Sequence, residues 1–494
     1  MMDKSSIGKG VVYLYIEAIT MILSGYVYWL ILSKITEPSA IGLSSTIIAL
    51  ATIVFSFASV GVAGGIQRYI ANSIAENKPE YIQGIINSSL LITGLGILVS
   101  SIIILLFRDS ISSYFNIGFE YILLSIVLFI FLVFSALLRA IIIPSLKVKV
   151  ITVASVISTI IKLSVTITLV FLGFGVFGII IGFLMYPLTS TVIFTLAIKK
   201  KIYISVSSLN LFKSTKEIFI ASLPFWLPAI ITTVGSQLGT ITVFLTMGSN
   251  NAGIYFIAFS IVTGIMVIIV VLSSIAYPTI SALKDGKKRA TWRLIKISLI
   301  LTIPISNVLI FYPTDILSLF GPSYASGASI LQILLLTSLP TSISTGIGVL
   351  LYSYNRNRDF LLLGLVTSIP RVVLYFIFVP AFGGSGAALA FVVGSICGGL
   401  LSLIFAKNTK IKLYYKQILV LFFIPIVIAF PFKYFELNSI ISIIIIFLSS
   451  YIVFIVFRLI DSQDIDDIIK ILPVGLTKNF LDMRNGIKNR MKRK

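Results

Sequence analysis

Runs of about twenty apolar residues recur from Val11 to Leu459, and no stretch between them is long enough to make a soluble domain. Backbone groups in lipid must be bonded within their own segment, so runs of this length are helices. A membrane barrel would instead show strands of about ten residues with strict alternation, and the sequence has no such pattern. We read fourteen spans, at 11–33, 40–64, 84–107, 119–143, 150–172, 175–198, 218–247, 252–281, 293–313, 327–352, 360–381, 384–406, 416–433 and 439–460. The expected fold is an all-α polytopic membrane protein. Composition agrees, with 58% of residues hydrophobic and 11% charged, against about 25% charged in a soluble domain. Lys4 and Lys9 precede the first run, which is too long for a secretory signal and lacks a small-residue cleavage site. It is expected to stay as a helix.

The net charge of +21 arises from 38 Lys and Arg against 17 Asp and Glu, and its placement is regular. With a cytoplasmic N-terminus, all but five of the basic residues fall on cytoplasmic connections or in the C-terminal segment. Lys34, Arg108 and Lys433 fall outside, and Lys162 and Arg371 fall within spans. Positive charge on cytoplasmic loops sets orientation. Both termini are therefore expected inside, on a multi-pass protein of the cell membrane. The charge belongs to topology, and nucleic acid is not expected as a partner. With no His and the single Cys397, the chain has no imidazole base, internal disulfide or thiolate metal cluster. No metal or cofactor is expected. The last segment mixes Asp461, Asp464, Asp466 and Asp467 with later Lys and Arg, while Phe480, Met483, Ile487 and Met491 recur at helical spacing. It reads either as an amphipathic tail on the anionic inner leaflet or as a solvated tail that fixes topology.

An internal repeat organises the spans. At one constant shift Lys147, Lys149, Lys162 and Gly175 fall on Arg356, Arg358, Arg371 and Gly384. At nearly the same shift Ala40-Ile41-Gly42 meets Asn251-Ala252-Gly253. This argues for two six-helix bundles that both enter from the cytoplasm, related by an axis along the membrane normal. The expected units are a first bundle at 1–201, a second at 202–412, two additional spans at 413–460 and the tail at 461–494.

Charges at a helix centre cost about 2.5–3.5 kcal/mol on insertion scales, so they need a reason to be there. Lys162 and Arg371 lie near the midplane of the fifth and eleventh spans, at equivalent points of the repeat. Two cations facing one another across a cavity would suit an anionic substrate, a phosphate or diphosphate above all. Alternatively each pairs with helix carbonyls or a carboxylate and locks packing. Glu17 is the one carboxylate well inside a span. It reads either as a proton or Na⁺ site that couples transport to a gradient, or as a hydrogen-bonded structural residue. In the seventh span Pro224 and Pro228 are expected to interrupt the helix beside a polar stripe that includes Ser236, Gln237 and Thr240. That stripe would line a cavity on a moving wall, or belong to a kinked, packed helix. The stretch Gly173-Phe174-Gly175-Val176-Phe177-Gly178 fits a dinucleotide pattern but sits between two spans, where that motif has no strand to follow.

Several motifs carry a resemblance. Leu319-Phe320-Gly321-Pro322-Ser323-Tyr324 is followed by a long span, then Tyr354-Asn355-Arg356-Asn357-Arg358, then Val379-Pro380-Ala381-Phe382-Gly383-Gly384-Ser385-Gly386-Ala387-Ala388. Gly253-Ile254-Tyr255 and Gly65-Ile66-Gln67-Arg68-Tyr69 add two more. In this order they resemble the multidrug/oligosaccharidyl-lipid/polysaccharide exporter superfamily, and its polysaccharide (Wzx-type) flippase branch in particular. The resemblance implies a V-shaped pair of bundles around a central cavity. It further implies flipping of a polyisoprenyl-(di)phosphate-linked oligosaccharide by alternating access, with Lys162 and Arg371 on the diphosphate and the sugars in the cavity. The expected partners are that lipid-linked oligosaccharide, membrane lipids and glycan-assembly enzymes, with the chain a monomer. Two departures stand out. Many relatives carry an acid late in the seventh span, where this chain has Gln237-Leu238-Gly239-Thr240. The lipid II branch has cations in its first span, where this chain has Glu17 as its only charge.

Two other functions were weighed. A drug or cation antiporter of the same superfamily would need the opposite sign of charge in its cavity. A membrane enzyme acting on lipid-linked sugars would need catalytic groups on outer loops, and these carry only scattered acids such as Asp109 and Asp315.

Overall fold

The computed structural model describes residues 13, 17, 20, 24–76, 79–145, 148–199, 211–435, 439–457 and 459. The tail at 461–494 and most of the first half of the first span lie outside them. Every regular element among the described residues is helical. The order is α1 (24–35), α2 (Pro38–Ala58), α3 (Val62–Ala75), α4 (Pro79–Leu106), α5 (Arg108–Phe115), α6 (Phe119–Ile142), α7 (Val148–Phe171) and α8 (Gly175–Lys199). Then come α9 (Leu211–Ala282), α10 (Lys287–Phe311), α11 (Pro313–Ser318), α12 (Ala328–Leu335), α13 (Ser338–Ser353), α14 (Asn357–Asn408), α15 (Tyr415–Tyr434) and α16 (Ser439–Val456). Among the described residues nine helices are long and apolar enough to cross a membrane, or ten when the pair Pro322–Leu335 and Ser338–Ser353, bent by 41°, counts as one span.

Two of these helices hold more than one apolar run. α9 is 72 residues long, about 108 Å at 1.5 Å per residue, more than three times the hydrocarbon thickness. It is interrupted at Gly248 (φ 80°), between the seventh and eighth expected runs. α14 is interrupted at Gly383 (φ 58°), between the eleventh and twelfth. Both breaks use the left-handed backbone region that glycine enters without a Cβ penalty.

The sequence misplaced one break. The helix is not interrupted at Pro224 and Pro228: inside α9 the only non-helical residue is Gly248. A helix in lipid that gave up a whole turn would strand more carbonyls than a proline does, so it runs on through both. The break occurs instead at the end of the second run, where Val60 (φ 47°) and Gly61 (φ 64°) separate α2 from α3. The carbonyls released there are met by the Trp226 indole of α9, whose Nε1 donates to Ser56 O and Phe57 O at 3.1 Å each. Glycine lets α3 press on the same stretch of α9. A Cβ on Gly61 would come within 2.6 Å of the Trp226 backbone nitrogen, and one on Gly65 within 2.5 Å of Ser222 Oγ.

The main core unites α1, α2, α6 and α8 with α9, α12 and α14 through buried Tyr28, Phe129, Tyr255, Phe320, Leu331 and Tyr375. α2 and α9 meet at Gly42 and Gly253, where a Cβ would sit 1.8 Å from Ser249 O and 2.0 Å from Pro38 O respectively. These two glycines occupy matching positions of the sequence repeat. α15 and α16 dock on α10, with Asn307 Nδ2 donating to Phe422 O (2.9 Å) and Tyr451 Oη to Ile300 O (3.2 Å). Many exposed large side chains are apolar, notably along α4, α15 and α16. In water that surface would be a liability; facing lipid it is the expected exterior.

Candidate functional site

Lys162 and Arg371 lie the same number of residues beyond the first residues of their helices, Val148 and Asn357, so each is roughly 21 Å along its helix. That is just past the middle of α7, which is 24 residues long, and of the arm of α14 that precedes Gly383. The two environments are alike in kind. Lys162 is 8% exposed, with Nζ 3.8 Å from the ring centre of Tyr28 and 4.4 Å from that of Phe183. Tyr28 is held by its hydroxyl, which donates to Ile179 O at 3.1 Å. Arg371 is 9% exposed and lies 3.9 Å from the Phe391 ring centre. Its Nε donates to Phe391 O (3.2 Å) and its Nη2 to Ser395 Oγ (2.7 Å). Gly394 makes room for it, since a Cβ there would stand 2.2 Å from Arg371 Cγ.

Neither cation makes an ion pair with a described carboxylate. The Lys162 ammonium rests on aromatic faces alone among the described residues, a contact worth about 2 kcal/mol when desolvated. Arg371 keeps Nη1 without a hydrogen bond among the described residues. Both cations are nearly buried in this structure. Each is closed in against its own aromatic ring, Lys162 among α1, α7 and α8, and Arg371 within α14.

Glu17 is 4% exposed and is not alone. Arg139 Nη2, near the end of α6, lies 2.9 Å from its Oε1 and 3.0 Å from its Oε2. The pair ties residue 17, in the first apolar run, to α6.

The stripe on α9 divides. Ser236 is half-buried and donates to Thr233 O at 3.0 Å, and Gln237 is half-buried. Thr240 is fully buried with its hydroxyl unpartnered, so it faces packed side chains and does not line an open cavity. Tyr375 Oη donates to Gly235 O just before the stripe. Among the described residues no cluster of three His, Cys, Asp or Glu could hold a metal.

Sequence reading missed a cleft of about 600 Å³ between both arms of α9, α13 and α14. A cluster of four rings walls it, with centres 6.1 Å (Phe225 to Tyr352), 5.0 Å (Tyr277 to Tyr352) and 5.6 Å (Tyr352 to Phe360) apart. Thr232, Ser274, Ser344 and Thr367 add hydroxyls, each donating to a carbonyl of its own helix and so open to the cleft as an acceptor, and no charged side chain among the described residues lines it. Thr367 lies one helical turn before Arg371 on α14. The signal was present as Ser or Thr near an aromatic residue close to the ends of three helices, but only packing shows that these ends converge. A second, almost wholly apolar cleft of about 720 Å³ lies between α2, α4 and α9.

Comparison with known proteins gives the following. The family described as "Polysaccharide biosynthesis protein" matches residues 31–328. "Probable flippase AglR" of Haloferax volcanii is 27% identical over 188 residues, 36% of this chain and 39% of AglR, so the chain spans about two fifths of that curated relative. Among solved structures, "Lipid II flippase MurJ, inward closed conformation" aligns with a TM-score of 0.70 at 18% identity, covering 90% of this chain and 99% of that one. A multidrug resistance MATE family transporter of the MOP superfamily, in an inward-facing conformation, aligns with a TM-score of 0.63 at 17% identity, covering 81% and 98%. At these identities the structural likeness speaks to the fold.

Proposed function

The chain belongs to the family described as "Polysaccharide biosynthesis protein", and from that premise we propose that it is a flippase that moves a polyisoprenyl-(di)phosphate-linked oligosaccharide from the cytoplasmic to the outer leaflet by alternating access. The observation that carries this reading is the uncharged cleft of hydroxyls and aromatic rings that ends one turn from Arg371. Pyranose rings present apolar faces to aromatic side chains and hydroxyls to Ser, Thr and Tyr, so such a wall suits neutral sugars. The cation one turn deeper suits the diphosphate to which the sugars are attached.

In this reading the fourteen apolar runs are fourteen spans, with both termini inside. Units 1–201 and 202–412 are the two moving halves, 413–460 supports the second, and 461–494 is a cytoplasmic tail. The matching helix starts of α7 and α14 support the two-half plan. Lys162 and Arg371 give one cation to each half. While the substrate is absent, each rests on its aromatic face, which keeps a midplane charge tolerable. A diphosphate offers a stronger partner than a ring, so the cations would swing to it as the halves enclose it. Exchange of the enclosed site between the two leaflets completes transport.

An antiporter for cationic compounds is disfavoured. The aromatic cleft has no carboxylate, and Glu17 is neutralised by Arg139.

The test is charge removal. Lys162→Ala and Arg371→Ala should each cut complementation of a flippase-deficient strain at least about tenfold, the cost of one charge-assisted contact of ~1.4 kcal/mol or more. Protein in the membrane should be unchanged. Normal surface glycan from the double variant would overturn the diphosphate reading.

A further inference from the structure

The larger cleft has a shape and a chemistry that the sugar site does not use. Its walls come from both sides of the proposed boundary between halves: α2 and α4 on one side, the first arm of α9 on the other. From Leu91 to Ile104 along α4 it extends roughly 20 Å, about two thirds of the hydrocarbon thickness. Leu95, Val99 and Ile103 on its wall are each half exposed, so it opens sideways toward lipid rather than toward water. Among the described residues the cation that lines it is Lys216, which is exposed near the start of α9. That end is the cytoplasmic one in the topology proposed above. The cleft also passes Phe57 and Val60, at the break between α2 and α3 that Trp226 spans.

A long apolar trough with one cation at its cytoplasmic end matches an isoprenoid chain that carries a phosphate at one end. A flippase must also leave the chain in lipid while its head group enters the protein. That requires a lateral gap between the halves, and this cleft lies on such a boundary. We propose that the cleft between α2, α4 and α9 holds the polyisoprenyl chain of the substrate during loading, with Lys216 meeting its first phosphate. This rests on the flippase reading. It adds where the lipid chain lies and which residue receives the phosphate before Lys162 and Arg371 do.

The test uses the full chain in liposomes of phosphatidylcholine and phosphatidylglycerol, with undecaprenyl phosphate bearing a benzophenone on its chain as the probe. Photolysis should place adducts on α4 between Leu91 and Ile104. Unlabelled undecaprenyl phosphate should compete, and added phosphatidylglycerol should not. Filling the trough with Ser100→Trp, or with Leu95→Trp at a lipid-exposed position that folding tolerates, should lower labelling about fivefold or more. Lys216→Glu should weaken labelling by the phosphate probe about fivefold, as expected for a cation near a membrane surface. It should leave labelling by benzophenone-undecaprenol unchanged. Equal competition by phosphatidylglycerol would make the cleft an ordinary lipid-facing crevice and overturn the proposal. So would adducts confined to other helices, or labelling indifferent to both tryptophans. Movement of undecaprenyl-diphosphate-N-acetylglucosamine, measured in parallel, separates the two readings. Normal movement in both tryptophan variants sinks the chain site and leaves the flippase standing. Labelling of α4 without any movement in the wild type supports the occupant and sinks transport.

Discussion

Lys162 and Arg371 show how much one residue type at one depth can say. Their burial without a carboxylate partner is costly, so removing the charge should do opposite things to stability and to activity. Lys162→Met keeps an unbranched apolar stem and deletes the ammonium that lies over Tyr28 and Phe183. It should raise the unfolding temperature in detergent, by the relief of about 1–3 kcal/mol, while abolishing transport. A variant that lost stability and activity together would mark Lys162 as a packing residue. Glu17 argues the other way, because its partner is on the page. Glu17→Gln should lower the unfolding temperature by a few degrees and leave any dependence of transport on a proton or Na⁺ gradient unchanged. The effect is small because Arg139 is itself 44% exposed and screened. Loss of gradient dependence would restore the coupling role. The depth of these three residues was legible in the sequence, since counting along a helix gives it. Their partners were not, since Tyr28, Phe183 and Arg139 come from other helices.

Among the elements, the junction of α2 and α3 is the one that the sequence concealed. Proline is the usual herald of a broken span, yet Pro224 and Pro228 leave α9 continuous, and Ser59-Val60-Gly61 breaks α2 with no proline at all. The reason lies in tertiary structure: the break is tolerated because Trp226, far away in sequence, takes up the carbonyls it frees. Val60 holds a left-handed φ of 47°, which a β-branched residue adopts only under constraint. Val60 is also buried in the core, so Val60→Gly loses more packing than the strain it relieves and should destabilise the protein by about 1–3 kcal/mol. Gly61→Ala, whose Cβ would stand 2.6 Å from the Trp226 backbone nitrogen at a left-handed φ, should destabilise it as well. Thermal unfolding of the two variants, followed by circular dichroism, should show a loss in both, and a gain in Val60→Gly would mean that backbone strain, not packing, governs the junction. The runs that became α4, α6, α7, α8 and α10 were legible because lipid allows a long apolar segment only one structure.

For the whole molecule, the repeat read from a few coincident cations acquires a physical point of contact. Gly42 and Gly253 match in the proposed repeat and also touch, and an axis relating two such halves would pass there. Gly42→Ala would push a methyl into Ser249 O and force that end apart. With Cys397→Ser and a reporter Ser45→Cys, which is buried here, a membrane-impermeant maleimide should react slowly in the parent and at least about tenfold faster with Gly42→Ala, a shift of ~1.4 kcal/mol between closed and open ends. An unchanged rate would show that the end is held by contacts away from the axis. The junction has one more consequence. It is made of backbone against backbone, so it offers no side chain for acid, salt or an ion to act upon. If the halves rock about it as proposed, it is a fulcrum that bears load without sensing anything, and whatever tells the molecule that it is loaded acts at a distance from the pivot, with the leverage that distance gives.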